Sequence, residues 1–179
     1  MDATARARAR GLAVLRIVLG IGFLWAGVEK WLNLAGDTQA WSALGFLKFG
    51  TAGTVPNMVG HAQDMVHNPT QGVWLALADS PALLSLINFL VVFGEIGIGV
   101  ALILGVGTRL AGTLGAVMMF LFWVAAWDFE FGLVNQQLLY GVLAAIVAYT
   151  SAGKVAGVDA KLEETGATAR SPLLKAVTG

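Results

Sequence analysis

The sequence contains no cysteine and few charged residues, and each shortage excludes a class of protein. Without cysteine the chain forms no disulfide, no cysteine-ligated zinc site and no iron–sulfur cluster. Only 12% of the 179 residues are charged and the net charge is zero, which argues against a disordered chain and against nucleic-acid binding. By contrast, 57% of the residues are hydrophobic and the mean hydropathy is +0.75. This composition predicts an integral membrane protein in contact with lipid.

Four apolar segments are long enough to cross the hydrocarbon as helices, which takes about 20 residues each. They cover residues 12–32, 81–104, 109–127 and 131–153. Their runs are continuous and not alternating, which favours helices over strands. The sequence therefore predicts an all-α bundle of four transmembrane helices over residues 1–160, with a long external loop at 33–80 and a mobile cytoplasmic tail at 161–179.

The distribution of basic residues predicts the orientation in the cytoplasmic membrane. Nine of the eleven lie on one side if both termini are cytoplasmic: Arg6, Arg8, Arg10, Arg16, Arg109, Lys154, Lys161, Arg170 and Lys175. Two apolar pieces of the external loop, residues 41–49 and 73–78, are too short to span. They either lie in the interface or fold back over the bundle as a cap. A short helix is expected at residues 172–177 of the tail.

Glu95 is the clearest residue that does not belong in hydrocarbon, because an ionisable side chain there costs about 2.5–3.5 kcal/mol. It forms either a structural pair that fixes the bundle or part of a functional cavity. Helical spacing places two sets of residues on stripes that are expected to face each other. The first helix contributes Arg16, Gly20, Phe23, Gly27 and Lys30, and the second contributes Asn88, Val92, Glu95, Gly99 and Leu102.

Two readings stay open for each basic side chain of the first stripe. Arg16 either reaches Glu95 or anchors the helix at the cytoplasmic interface, where its long stem allows it to snorkel. Lys30 either stabilises an anion in an external pocket or forms an ordinary interfacial pair with Glu29. Similarly, the small residues Ala111 and Gly115 serve either self-association of the chain or packing within the bundle.

Tryptophan is distributed unevenly, with five of the six residues in the external half or loop: Trp31, Trp41, Trp74, Trp123 and Trp127. An interfacial belt is one explanation, but a belt populates both interfaces. An aromatic pocket that opens outward is the other, with Trp25 near mid-depth. The polar residues expected near it are Glu29, Lys30, His61, His67, Asn135, Gln136 and Gln137. The spacing of the two histidines does not suit a metal site.

No phosphate-binding loop, dinucleotide fingerprint or histidine pair for haem is present. Any redox cofactor is therefore expected to be mobile or to belong to a partner, and no metal or covalent cofactor is predicted.

Three stretches resemble signatures of the DoxX/DoxD family of small four-helix membrane proteins. The first consists of Arg16, Leu19, Gly20, Phe23, Gly27 and Lys30. The second begins at Glu95, Gly97 and Gly99 and continues through Gly105, Gly107, Thr108 and Arg109; the third contains Gly153, Lys154, Gly157 and Asp159. The long external loop and the third helix resemble the DoxD branch, the membrane subunit of thiosulfate:quinone oxidoreductase. This resemblance implies electron transfer from thiosulfate, giving tetrathionate, to membrane quinone, together with a small partner subunit.

The leading hypothesis is accordingly a subunit of a quinone-linked oxidoreductase. Glu95 passes or holds a proton, Arg16 holds Glu95, and Lys30 stabilises anionic charge. The expected quinone-binding residues are Trp25, Glu29, Trp123, Trp127 and Asn135. The main alternative is a non-catalytic scaffold that docks a partner oxidoreductase, and a small-solute carrier is a third reading.

Overall fold

The computed structural model describes residues 3–33, 40–49, 51, 68–126 and 134–178, and in these ranges the regular structure is helical. The long helices are α1 (Ala3–Leu32), α4 (Pro81–Leu104), α5 (Thr108–Ala126) and α6 (Gln136–Tyr149). The short ones are α2 (Leu44–Phe49), α3 (Gln71–Ala78), α7 (Val158–Glu164), α8 (Ala167–Arg170) and α9 (Pro172–Thr178), with a 3-10 helix at Ala152–Lys154.

Helices α1, α4 and α5 are long and apolar enough to cross a membrane, and most of their surface lies outside the protein core. The chain is therefore a multi-pass, all-helical membrane protein whose outer faces contact lipid. The predicted fourth span, residues 131–153, differs from the structure. Helix α6 has 14 residues, which is about 21 Å of helix. It ends before Ser151, whose φ of 48° does not continue a helix.

Glycines set the close approach of α1 and α4, as the two predicted stripes require. A methyl group on Gly20 would lie 2.9 Å from the carbonyl oxygen of Gly99, and one on Gly27 would lie 2.9 Å from that of Val92. The two helices are antiparallel, because the residue later in α1, Gly27, contacts the residue earlier in α4, Val92. Only glycine permits backbones to come this close, so the predicted facing of the two stripes is confirmed.

Helices α5 and α6 form the second close pair of the bundle. A methyl group on Gly112 would lie 2.8 Å from the carbonyl oxygen of Ala144. Ala111 and Gly115 are buried inside the bundle, where Phe23 and Ile98 lie next to Gly115. Of the two readings of this small-residue pair, the structure supports internal packing.

The pieces at 41–49 and 73–78 pack together against one end of the bundle, and we call them the cap. They contribute α2 and α3 and pack around Leu47 and Ala78. Asn88 of α4 accepts a hydrogen bond from the Ala43 amide at 2.8 Å, and Asn68 donates to the carbonyls of Val124 and Ala125 at the end of α5. We call this end of the bundle, where α1 finishes, the Lys30 end. The opposite end, where α4 turns into α5, is the Arg16 end.

The last part of the chain consists of short helices. The expected helix at 172–177 is confirmed as α9, which packs against α5. The segment 161–178, part of the predicted cytoplasmic tail, contains the end of α7 together with α8 and α9. The domain limit at residue 160 falls inside α7, because Asp159 anchors that helix to the bundle.

Candidate functional site

The Lys30 end contains a buried ion pair between α1 and α4. The Lys30 Nζ atom lies 2.8 Å from Glu95 Oε2 and 3.1 Å from Glu95 Oε1. It also donates to the carbonyl oxygen of Ala26, one turn back, at 3.1 Å. The Glu95 side chain is 3% exposed and that of Lys30 is 23% exposed. Glu95 thus faces inward as predicted, and a cation compensates its charge.

The cap contributes an aromatic contact to this pair. The Nζ atom of Lys30 lies 5.7 Å from the centre of the Trp41 ring, within the range of a cation–π interaction. Trp41 immediately precedes Ser42 and Ala43, which Asn88 holds through hydrogen bonds. The cap is therefore fixed to α4 seven residues before Glu95, on the same stripe.

A cavity of about 420 Å³ adjoins the ion pair and lies between α1 and α6, with α5 behind it. Its polar lining consists of Glu29, Lys30, Glu95, Gln136, Gln137 and Tyr140. Its apolar lining consists of Leu19, Gly22, Phe23, Trp25, Ala26, Met119 and Phe122. An apolar, partly aromatic cavity with a few convergent polar groups is the usual form of a small-molecule site.

Glu29 brings a second carboxylate to the cavity. Within the described ranges, no cation forms an ion pair with Glu29, and Lys30 is the only basic side chain that lines the cavity. Lys30 pairs with Glu95 and not with its neighbour Glu29, so the expected interfacial pair is not formed.

No three histidine, aspartate or glutamate side chains in the described part of the chain come together as metal ligands.

Arg16 does not hold Glu95, in contrast to the hypothesis from the sequence. The side chain is fully buried, and its Nη1 and Nη2 atoms donate to the carbonyl oxygens of Ala152 and Ala156, each at 3.2 Å. Arg16 lies beside Gly105, ten residues along α4 from Glu95, which is about 15 Å of helix. The shared stripe gave the correct face, but the antiparallel register places Lys30 at the level of Glu95.

The enclosure around Arg16 also contains Asp159, which is fully buried. Its carboxylate accepts hydrogen bonds from the amides of Gly107 and Thr108, at 2.8 and 2.9 Å, where α5 begins. A carboxylate at a helix N-terminus satisfies amides that have no partner within the helix. A methyl group on Gly153 would collide with Thr108 and Asp159, and one on Gly105 would collide with Arg16. Around Arg16 and Asp159 the packing therefore leaves no room for even a methyl group at these two glycines.

The predicted quinone-binding residues divide into three groups. Trp25 and Glu29 line the cavity. Trp123 and Asn135 do not: the Trp123 ring packs on Phe120 at 5.7 Å between ring centres, and the Asn135 side chain caps α6 by accepting from the Leu138 amide at 3.1 Å. Trp127, His61 and His67 lie outside the described residues.

Sequence reasoning did not place Phe122 or Tyr140 at the site, and it named Asp159 only as part of a family signature. Phe122 follows the inward-facing Met119 by three residues, and Tyr140 follows Gln136 and Gln137 by four and three, so helical spacing could have placed both at the cavity. Asp159 contacts a helix that begins 51 residues earlier in the chain, and nothing in the sequence indicates that contact.

Comparison with known proteins gives one match. The DoxX family model matches residues 11–128, which include Arg16, Lys30, Glu95 and the turn between α4 and α5. The matched region ends before α6 and before Asp159. No curated protein and no solved structure matches the chain. Because the family model covers well over half of the sequence, the chain belongs to the DoxX family.

Proposed function

We propose that this protein is the membrane subunit of a quinone-linked oxidoreductase, and that the cavity beside Lys30 and Glu95 receives the quinone head group. Four spans with both termini in the cytoplasm belong to this proposal, with α6 as the fourth and the cap on the external side. The observation that carries it is the 420 Å³ cavity, which combines aromatic walls with a buried lysine–glutamate pair.

The lining of the cavity suits a flat, weakly polar ring. Phe23, Trp25 and Phe122 offer aromatic surfaces, against which a ring stacks. Gln136, Gln137 and Tyr140 carry N–H and O–H donors that would bind carbonyl oxygens and fix the orientation of the ring. Its volume lies within the range of about 300–1,000 Å³ that is typical of small-molecule sites.

The position of the cavity supports entry from the bilayer. Trp25 on α1 and Tyr140 on α6 border it and are 61% and 38% exposed on the outer surface of the bundle. Both lie in apolar segments whose outer faces contact lipid. A hydrophobic molecule dissolved in the membrane would therefore enter between α1 and α6 without crossing water.

Reduction of a quinone to a quinol takes two electrons and two protons, and hydrocarbon supplies neither. Glu95 is the buried group placed to pass or hold a proton at the cavity. Lys30 stabilises the Glu95 carboxylate whenever the proton is elsewhere, because its ammonium contacts both oxygens. Arg16 takes no part in this step, since its donors bind carbonyls at the opposite end.

We further propose that the electrons come from a partner subunit, in keeping with the lack of a cofactor-binding motif in this sequence. If thiosulfate is the donor, as the resemblance implies, two thiosulfate ions give one tetrathionate ion and the two electrons. A scaffold function would use the same bundle without turnover.

The quinone-subunit and scaffold functions can be distinguished by purifying the protein with native lipids. The bound quinone is then extracted, and the polypeptides that co-purify are identified. A quinone subunit retains about one quinone per cavity and reduces added quinone when its partner and donor are present. Co-purification of an oxidoreductase without bound quinone or turnover by this subunit would support the scaffold instead.

Glu95→Gln tests the proton role directly. We expect quinone reduction to fall at least about 100-fold, the usual contribution of a proton-transfer group. Because this change leaves Lys30 without its partner, Lys30→Met combined with Glu95→Gln serves as the charge-balanced variant for folding. Glu164→Gln, an exposed glutamate on α7, is the matched control. Wild-type turnover in a folded Glu95→Gln protein would reject the proton role.

A further inference from the structure

We infer that the cavity admits neutral ligands and excludes small anions, and that Glu29 determines this specificity. The inference rests on the proposed function and makes it more specific. The head group bound beside Lys30 is uncharged, and an anionic electron donor such as thiosulfate is oxidised outside this cavity. Two observations carry it: the donors of Lys30 are all in use, and Glu29 lines the cavity without a described partner.

Lys30 is the cation that an anion would have to contact. An ammonium group has three N–H donors. Glu95 Oε1, Glu95 Oε2 and the Ala26 carbonyl oxygen take all three, at distances of 2.8–3.1 Å. An incoming anion would therefore have to displace Glu95, and a buried carboxylate left without its cation is strongly unfavourable. The expectation that Lys30 stabilises an arriving anion is not compatible with this arrangement.

Glu29 then decides the sign of the charge in the cavity. Lys30 balances Glu95, and no other basic side chain among the described residues lines the cavity. With Glu95 ionised, the Glu29 carboxylate therefore leaves the cavity lining with a formal charge of −1. Glu29 is itself exposed, but most of the lining it shares is apolar, so water screens its charge less on the cavity side than in bulk solution. An anion is repelled there, whereas the glutamine and tyrosine donors can still bind a neutral carbonyl group.

The test uses two probes of nearly the same shape, anthraquinone-2-carboxamide and anthraquinone-2-carboxylate. Binding is measured by calorimetry on the full chain in phosphatidylcholine nanodiscs, with empty nanodiscs as the blank for partition into lipid. The wild-type protein is expected to bind the neutral carboxamide at least about tenfold more tightly than the carboxylate. A tenfold ratio of affinities corresponds to a repulsion of about 1.4 kcal/mol on the carboxylate charge.

The readout is the ratio of the two affinities in the variants, because lipid partition cancels in that ratio. Glu29→Gln should lower the preference about tenfold, while Glu164→Gln at the Arg16 end leaves it unchanged. Comparable binding of both probes to the wild type, or an unchanged preference in Glu29→Gln, overturns the inference and leaves the quinone site standing. Failure of the carboxamide to bind at all rejects the quinone site, and the inference with it.

Discussion

The Arg16 end and the Lys30 end of α1 both bury a basic side chain, but they surround it differently. Arg16 is fully buried and lies against Gly105 and Gly157, where not even a methyl group fits. Lys30 is 23% exposed and borders a cavity of about 420 Å³. A buried charge in a membrane helix is therefore not by itself the mark of a ligand site. The free volume beside it distinguishes the two ends.

The two ends also differ in what neutralises the charge. Arg16 donates to two backbone carbonyls and is attracted by the Asp159 carboxylate, which in turn binds backbone amides. The two carbonyls belong to the main chain of turns, which would have to unfold for the carbonyls to move. Lys30 instead pairs with a side chain, Glu95, which passes or holds a proton in the proposed function. The contacts of Arg16 are typical of a structural role, whereas the Lys30–Glu95 pair is suited to the proposed proton transfer.

Arg16→Met should produce the largest loss of stability. The change leaves the carbonyls of Ala152 and Ala156 without donors and Asp159 without its opposite charge, which should cost about 3 kcal/mol or more. Unfolding in mixed micelles of increasing denaturing detergent measures it. Arg109→Met, on an exposed position of α5, is the control and should change stability by less than about 0.5 kcal/mol. Equal effects of the two substitutions would show that the buried contacts of Arg16 do not stabilise the fold.

A pair of glycine substitutions tests the difference in free volume. Gly153→Ala at the Arg16 end should destabilise by about 1–3 kcal/mol, because its methyl group meets Thr108 and Asp159. At Gly22, beside the cavity, an added methyl group would have no neighbouring atom within 4 Å. Gly22→Ala should therefore stabilise α1 by about 0.5–1 kcal/mol, because alanine favours the helix more than glycine does. The same micelle titration measures both. If the two variants shift stability in the same direction, the packing difference is wrong.

Asn88→Ala should have a smaller and more local effect, at the Lys30 end. Loss of its side chain leaves the Ala43 amide without an acceptor, at a cost of about 1 kcal/mol. Hydrogen exchange at Ala43 and Leu44 should accelerate while exchange in α5 stays the same. Ser85→Ala, exposed on the same helix, should leave the cap as it is. Acceleration throughout the bundle would show that the cap is part of the global core.

Periodicity predicted the faces of helices well and their axial register poorly. The glycine and polar stripes correctly brought α1 against α4 and turned Glu95 inward. They could not decide whether Arg16 or Lys30 meets Glu95, because both lie on one stripe. The position of each basic residue along the helix axis, relative to Glu95, depends on which glycines of α1 and α4 are in contact. That register is fixed only when the two helices pack together.

Two other features depend on the main chain, which composition does not report. The apolar run at 131–153 marks residues that avoid water, but the helix stops where Ser151 takes a positive φ. The acceptors of Arg16 are carbonyl oxygens, which every residue possesses, so no side-chain pattern predicts which ones bind it. The sequence likewise does not indicate how the segment after residue 160 is attached, because the contact runs from the Asp159 carboxylate to main-chain amides at the start of α5.

The contact between Arg16 and the carbonyls of Ala152 and Ala156 has a consequence for biosynthesis. These carbonyls lie 136 and 140 residues after Arg16 in the chain, so the ribosome makes the acceptors long after it has made the first helix. Until then the guanidinium of the first helix must remain hydrated or bound to lipid phosphate at the membrane surface. The turns of residues 152–156 thus complete the enclosure of Arg16, and a nascent chain arrested near residue 150 should expose Arg16 to water-soluble labelling reagents.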